Sequence, residues 1–99
     1  MKKIININVP AKEIIEFRDD RGWDEAHTPS NLVKSISVEA AELLELYQWG
    51  ENTDSLERVK EELADVLIYS FTLAERLGFD INTIILDKIK KNGIKYPKK

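Results

Sequence analysis

Apolar positions in this chain recur every three or four residues through most of its length, the period of an α-helix with one buried face. Turn-forming residues break the pattern into four segments. Pro10 suits the first position of a helix that stops near Gly22, behind "FRDDR". Thr28 or Ser30 can cap a second helix, with Pro29 in its first turn, running to Gly50. Thr53 or Asp54 can cap a third, which ends at Gly78 after "ERL". Asp80 caps a fourth that carries Ile81, Ile84, Ile85 and Ile89, weakens at Gly93 and ends by Pro97. Only "IININV" at 4–9 alternates with period two, and it is too short and isolated to found a sheet. The expected fold is all-α: an antiparallel bundle of about four helices whose short loops make sequential helices neighbours.

The third segment contains an anomaly. In "EELADVLIYSFTLA" (61–74) one acid, Asp65, stands among Leu63, Ala64, Val66, Leu67, Ile68 and Tyr69, on a helix that reads as apolar nearly all round. A buried charge without a partner costs several kcal/mol or neutralises itself. On the second helix Leu32, Ile36, Glu39, Leu43 and Leu46 follow steps of four and three, so Glu39 takes a core-facing position, with Glu42 three residues on. Glu62 and Asp65 repeat that spacing on the third. Glu39 with Asp65, and Glu42 with Glu62, are each symmetric about residue 52, inside the loop "GENT". An antiparallel hairpin about that loop brings all four carboxylates to one level.

Composition narrows the chemistry. The chain has 99 residues, 42% of them hydrophobic, and reads as one domain over 1–99 whose core is marginal alone. An apolar third helix needs more cover than three short neighbours supply. The chain has no Cys, which excludes disulfides and thiolate metal sites and suits a reducing cytoplasm. The start "MKKIININVP" lacks the apolar stretch of a signal peptide, and 63–74 is too short to span a bilayer. A net charge of −3 argues against a nucleic-acid polymer as partner, although lysines crowd the tail from Lys88 to Lys99.

Four converging carboxylates repel one another and raise their pKa values unless a cation intervenes. Oxygen-only ligands favour a hard ion, Mg²⁺ first and Mn²⁺ second; Mg²⁺ keeps waters and takes phosphate oxygens as further ligands. The competing reading is that each E-x-x-E pair is only a solvated helix face. The matched register and the apolar setting of Asp65 favour metal.

These residues resemble a known family. "SVEAAELLELYQW" followed by "EELADVLIYSFTLAERLGFD" is similar to the MazG-like all-α nucleoside triphosphate pyrophosphohydrolases, in particular the short dCTP pyrophosphatase-like branch. The family signature, E-x-x-E, a gap, then E-x-x-D, matches Glu39, Glu42, Glu62 and Asp65, with 43–61 as the gap. "RDDRGWDEAHTPSNLVKSIS" resembles the lead-in segment and "LDKIKKNGIKYP" the closing helix. In one respect the chain departs: Val38 stands where many MazG proteins carry a further Glu, which leaves the number of ions open.

The resemblance implies Mg²⁺-dependent hydrolysis of a nucleoside triphosphate between its α and β phosphates, giving monophosphate and pyrophosphate. The substrate would be dCTP-like or a modified pyrimidine nucleotide, in a housecleaning role. Glu39, Glu42, Glu62 and Asp65 would hold metal and serve catalysis. No Ser, Cys or His stands in a nucleophilic arrangement, so water is the attacking group; Glu45 and Glu61 are near enough to orient it but read more simply as surface acids. Trp23 and His27 match the lead-in segment that helps enclose the base. Trp49, two helical turns beyond Glu42, offers another stacking face, although both tryptophans also suit core anchors. Lys88, Asn92 and Tyr96 share one helical face, with Lys95 nearby, and their match to the closing helix implies triphosphate contact; solvation alone accounts for the other lysines. Alternatives within the enzyme class are a broad-specificity MazG-type activity and a phosphoribosyl-ATP pyrophosphohydrolase. Outside it, a helical oligomerisation or regulatory module would use the acids only structurally. The family resemblance also implies a homodimer or homotetramer.

Overall fold

The structure is a computed structural model that describes residues 8–99. Four helices follow one another: α1 (Ala11–Asp20), α2 (Pro29–Glu45), α3 (Leu56–Leu77) and α4 (Ile81–Lys95). No strand is present among the described residues, and most of the alternating stretch at 4–9 lies outside them.

Local chemistry sets most helix ends. Pro10 takes the cap position itself, so α1 begins one residue later than its suitability for the first turn suggests. The hydroxyl of Thr28 accepts from the Asn31 N–H at 3.2 Å, and Pro29 follows where a helix needs no N–H donor. The start of α3 differs from expectation. Ser55, not Thr53 or Asp54, is the cap residue, and the Thr53 hydroxyl instead accepts from the Ser55 N–H at 3.1 Å, spending its oxygen inside the loop. Gly78 ends α3 at φ 74°, where its missing Cβ avoids a clash, and the Phe79 N–H returns to the Ala74 carbonyl at 2.9 Å to close a Schellman turn. Asp80 caps α4 by accepting from the Thr83 N–H at 2.9 Å and its hydroxyl at 2.7 Å. Gly93 does not break α4, which continues to Lys95.

α2 and α3 make most of the inter-helix contact, α1 packs on α3 to a lesser extent, and α4 has no comparable contact with any of them. The hairpin is antiparallel: near its loop Glu39 and Glu42 meet Glu62, and at its far end the carbonyl of His27 accepts from Arg76. Of the described hydrophobic residues only Leu32 and Ala74 are buried. α3, which reads in sequence as covered nearly all round, leaves Leu63, Leu67 and Ile68 exposed. The radius of gyration is 16.1 Å, against about 13 Å for a compact chain of this length.

Candidate metal centre and its surroundings

Glu39 and Glu42 lie one turn apart on the face of α2 that meets α3, and Glu62 faces them from α3. One carboxylate oxygen from each lies within 4.8 Å of the others; among the described residues no other such group of His, Cys or acidic side chains forms. All three are half-buried, and Glu39 Oε2 and Glu62 Oε2 are shielded from water without a hydrogen-bond partner. Burial, hydrogen bonding to Glu62 and Glu42 and the charges of Glu42 and Asp65 push the Glu39 carboxyl up to about 7. Glu62 is raised chiefly through its hydrogen bond with Glu42. Asp65 does not join the triplet, yet it is close enough for its charge to act on Glu39 and Glu62.

A row of rings leads away from the acids. Tyr69, one turn beyond Asp65 on α3, is raised by burial and by the charges of Glu39 and Asp65, so its phenol borders the cluster. Its ring centroid lies 6.0 Å from that of His27, which lies 5.8 Å from Trp23, which lies 5.6 Å from Phe17. His27 is half-buried and its Nδ1 has no partner. Burial, then the charges of Arg18 and Arg76, lower its pKa against the opposing pull of Asp24. Trp23 and His27 are thus brought together, with Tyr69 between His27 and the acids. Tyr69, the link between them, was missed in the sequence because it reads as one more apolar residue; its spacing of four from Asp65 and seven from Glu62 was the available signal.

Trp49 lies elsewhere. The sequence reading extends α2 to Gly50, but the helix ends at Glu45, and the N–H groups of Leu46, Tyr47 and Gln48 then bond three residues back. From there the chain winds more tightly into the loop. Trp49 is 92% exposed, beside a surface hollow of about 490 Å³ lined by Leu46, Asn52, Thr53 and Asp54. Trp49 and His27 flank opposite ends of α2, roughly 24 Å apart at 1.5 Å per residue. Lys88, Asn92, Lys95 and Tyr96 all lie on or just beyond α4, and none has a hydrogen bond or ion pair to the acids. Lys95 Nζ stands 5.3 Å from the centroid of the Tyr96 ring. Glu45 and Glu61 are exposed.

The acid triplet fits a hard divalent cation on the evidence of its own atoms. Two half-buried carboxylates present unpartnered oxygens to a shared space, and burial for Glu39 and the hydrogen bond to Glu42 for Glu62, with neighbouring acid charge adding to both, raise their pKa values, a cost of ionisation that a cation would offset.

Comparison with known proteins places this geometry. The MazG-like family matches residues 34–99, a stretch that holds all four acids of the two E-x-x-E/D motifs. dCTP pyrophosphatase 1 of Mus musculus is 37% identical over 91 residues, covering 83% of this chain and 54% of that protein; the Homo sapiens protein is 36% identical over the same shares. The chain spans about half the length of these curated relatives. Among solved structures, a pyrophosphatase from Archaeoglobus fulgidus superposes with a TM-score of 0.78 at 44% identity, covering 97% of this chain and 100% of that one. With its acid motifs, its four-helix architecture and its relatives in agreement, the chain belongs to the MazG-like family.

Proposed function

We propose that the protein is a nucleoside triphosphate pyrophosphohydrolase that cleaves between the α and β phosphates to give a monophosphate and pyrophosphate. The convergence of Glu39, Glu42 and Glu62 around two unpartnered, shielded oxygens carries this reading. These three side chains, with Asp65 beside them, would hold Mg²⁺, or Mn²⁺ in its place. Such an ion neutralises phosphate charge and lowers the pKa of a bound water. The protein's own part is to aim the carboxylates and to offer ring surfaces. Tyr69, His27 and Trp23 give a base a place to stack next to the acids, and the His27 imidazole, held neutral by burial and two guanidinium groups, is available to hydrogen-bond it. The names of the relatives favour dCTP or a modified pyrimidine triphosphate as substrate, in the cytoplasmic nucleotide pool.

The active form is a homo-oligomer, a dimer at least. Among the described residues only two hydrophobic side chains are buried while Leu67, Ile85, Leu86 and Ile89 stand exposed, which argues for a core completed by a second copy. A second copy would also supply what the single chain keeps apart from its acids: Trp49 for the base, and Lys88, Asn92, Lys95 and Tyr96 for the triphosphate. Pyrophosphate release from a panel of triphosphates, with and without Mg²⁺, tests the whole reading. Mg²⁺-dependent release that favours a cytosine nucleotide is expected. Equal turnover of many bases would make it a broad-specificity enzyme, turnover of phosphoribosyl-ATP alone would reassign the substrate, and no turnover of any would leave a non-catalytic module.

A further inference from the structure

The loop from Arg21 to Thr28 bears Trp23 and His27, yet it has little apolar anchorage of its own. Two arginines fasten it. Arg76 on α3 donates through Nε to the His27 carbonyl at 3.0 Å and through Nη2 to the Asp24 carbonyl, and the same Nη2 pairs with the Asp24 carboxylate at 2.8 Å. Arg18 on α1 is 7% exposed; it binds Glu75 at 2.9 Å and Asp19 at 3.0 Å and reaches Asp24 Oδ1 at 3.6 Å. Burial works against the Arg18 charge, but its hydrogen bonds to Glu75 and Asp19 outweigh that and raise its pKa. Asp24 is therefore gripped from two helices at once, and the backbone on both sides of the loop is tied to a single guanidinium.

We propose that Arg76, with Arg18 behind it, is a positioning residue for base recognition, locking the 21–28 loop so that the rings of Trp23 and His27 stand against Tyr69. The proposal rests on the reading of these rings as the base pocket. Arg76 itself touches neither the acids nor the row of rings; it acts through the carbonyls of Asp24 and His27. The task calls for arginine. A planar fork serves two carbonyls and a carboxylate in fixed directions, whereas a lysine ammonium on a flexible stem cannot hold all three in that geometry. Trp23 is 41% exposed, with its ring edge-on to Phe17 and tilted against His27.

Arg76→Gln and Arg76→Lys in the full-length chain test this with two independent readouts. In steady-state pyrophosphate release, Arg76→Gln should raise KM for the preferred pyrimidine triphosphate about tenfold, with kcat within about twofold, and should narrow the preference over a purine triphosphate by a similar factor, since part of the stacking is lost. Arg76→Lys should recover less than half of that loss. The second readout needs no turnover: the His27 ring titration followed by NMR. The charged groups facing that ring are Arg18 from α1, Arg76 from α3 and Asp24 from its own loop, with neutral Tyr69 in contact. Removing the Arg76 charge and loosening the loop should move the His27 pKa upward, toward its ordinary 6.5.

A folded Arg76→Gln with an unmoved His27 titration overturns the clamp, whatever the activity. An equal fall in kcat for every nucleotide overturns its role in base recognition. Should the wild type release no pyrophosphate from any triphosphate, the proposed function fails, and the charge-preserving Arg76→Lys then decides the clamp: Trp23 and His27 resonances unchanged from wild type overturn it. If Arg76→Gln does not fold, Asp24→Asn, which weakens the same grip without removing a guanidinium, carries both measurements. In that variant an unchanged KM together with unchanged Trp23 and His27 resonances overturns the proposal.

Discussion

Among the described residues, α2 and α3 pack closely on each other, whereas α4, which also carries a run of apolar positions, makes no comparable contact with another helix. In the hairpin, apolar contacts bring two helix faces together and force Glu39, Glu42 and Glu62 into a shared, half-buried space. In α4 the Asp80 cap and its bonds to Thr83 fix where the helix starts, while Ile85, Leu86, Ile89 and Ile94 remain 51–81% exposed. A 15-residue helix is marginal in water without tertiary packing. The difference teaches that one chain assembles a finished half, the acids and the row of rings, while the basic helix and Trp49 stay exposed, an unfinished half on the proposal that a second copy completes the site.

Breaking the finished half should have the largest effect. Glu39→Gln removes a charge from the acid cluster and should lower pyrophosphate release about a thousandfold, at a factor of ten for each 1.36 kcal/mol of lost charge stabilisation. Its melting temperature without Mg²⁺ should hold or rise because repulsion is relieved. A folded Glu39→Gln of normal activity would remove the triplet from the chemistry. Asp65→Asn sharpens the same point: its loss should be as severe, and a fully active variant would confine the site to the three glutamates.

Breaking the unfinished half should act through assembly. Ile89→Lys puts a charge on the exposed face of α4 and should convert the oligomer to single chains in sedimentation velocity, with activity down about a hundredfold if the missing side chains come from a second copy. A wild type that sediments as a single active chain would show that α4 finds its cover in another way. Trp49→Ala should cost ten- to a hundredfold in kcat/KM for the preferred nucleotide and much less for a poorly stacking triphosphate, about the worth of one stacked base. An equal loss for all substrates would make Trp49 a structural support instead.

The smallest expected effect is on proton linkage. The Glu39 carboxyl, raised from its ordinary 4.5 to about 7, makes the metal-free fold bind more protons than the unfolded chain between those values. Its contribution to stability is therefore fully present below pH 4.5 and fades as pH rises through 7. Mg²⁺ must displace that proton, so its apparent affinity should fall as pH drops below 7, by up to about tenfold per unit for one proton. Calorimetry in buffers of different ionisation enthalpy measures the proton release directly, and pH-independent Mg²⁺ affinity would separate Glu39 from the cation.

Much of this was legible in the sequence because local physics wrote it. The caps at Thr28 and Asp80, the stop at Gly78 and the helical periodicity depend on neighbours three or four residues away. The inward placement of Glu39, Glu42 and Glu62 followed from the same period plus one assumption, an antiparallel turn near residue 52. Where the local rules compete, the reading slipped: the loop spent the Thr53 hydroxyl on Ser55, and α2 tightened after Glu45 instead of running on to Gly50.

The sequence by itself determined the four helices, their order and the set of acids, because helix formation and capping are short-range and the motif spacing is a property of the chain. Only the tertiary structure decided which of those acids meet, that Tyr69 lies between them and His27, that Arg18 and Arg76 converge on Asp24, and that α4 makes little contact with the other helices among the described residues. Those facts depend on residues up to 58 positions apart, from Arg18 to Arg76, brought together by burial of helix faces. Burial is non-directional, so no local pattern announces which side chains it will place in contact.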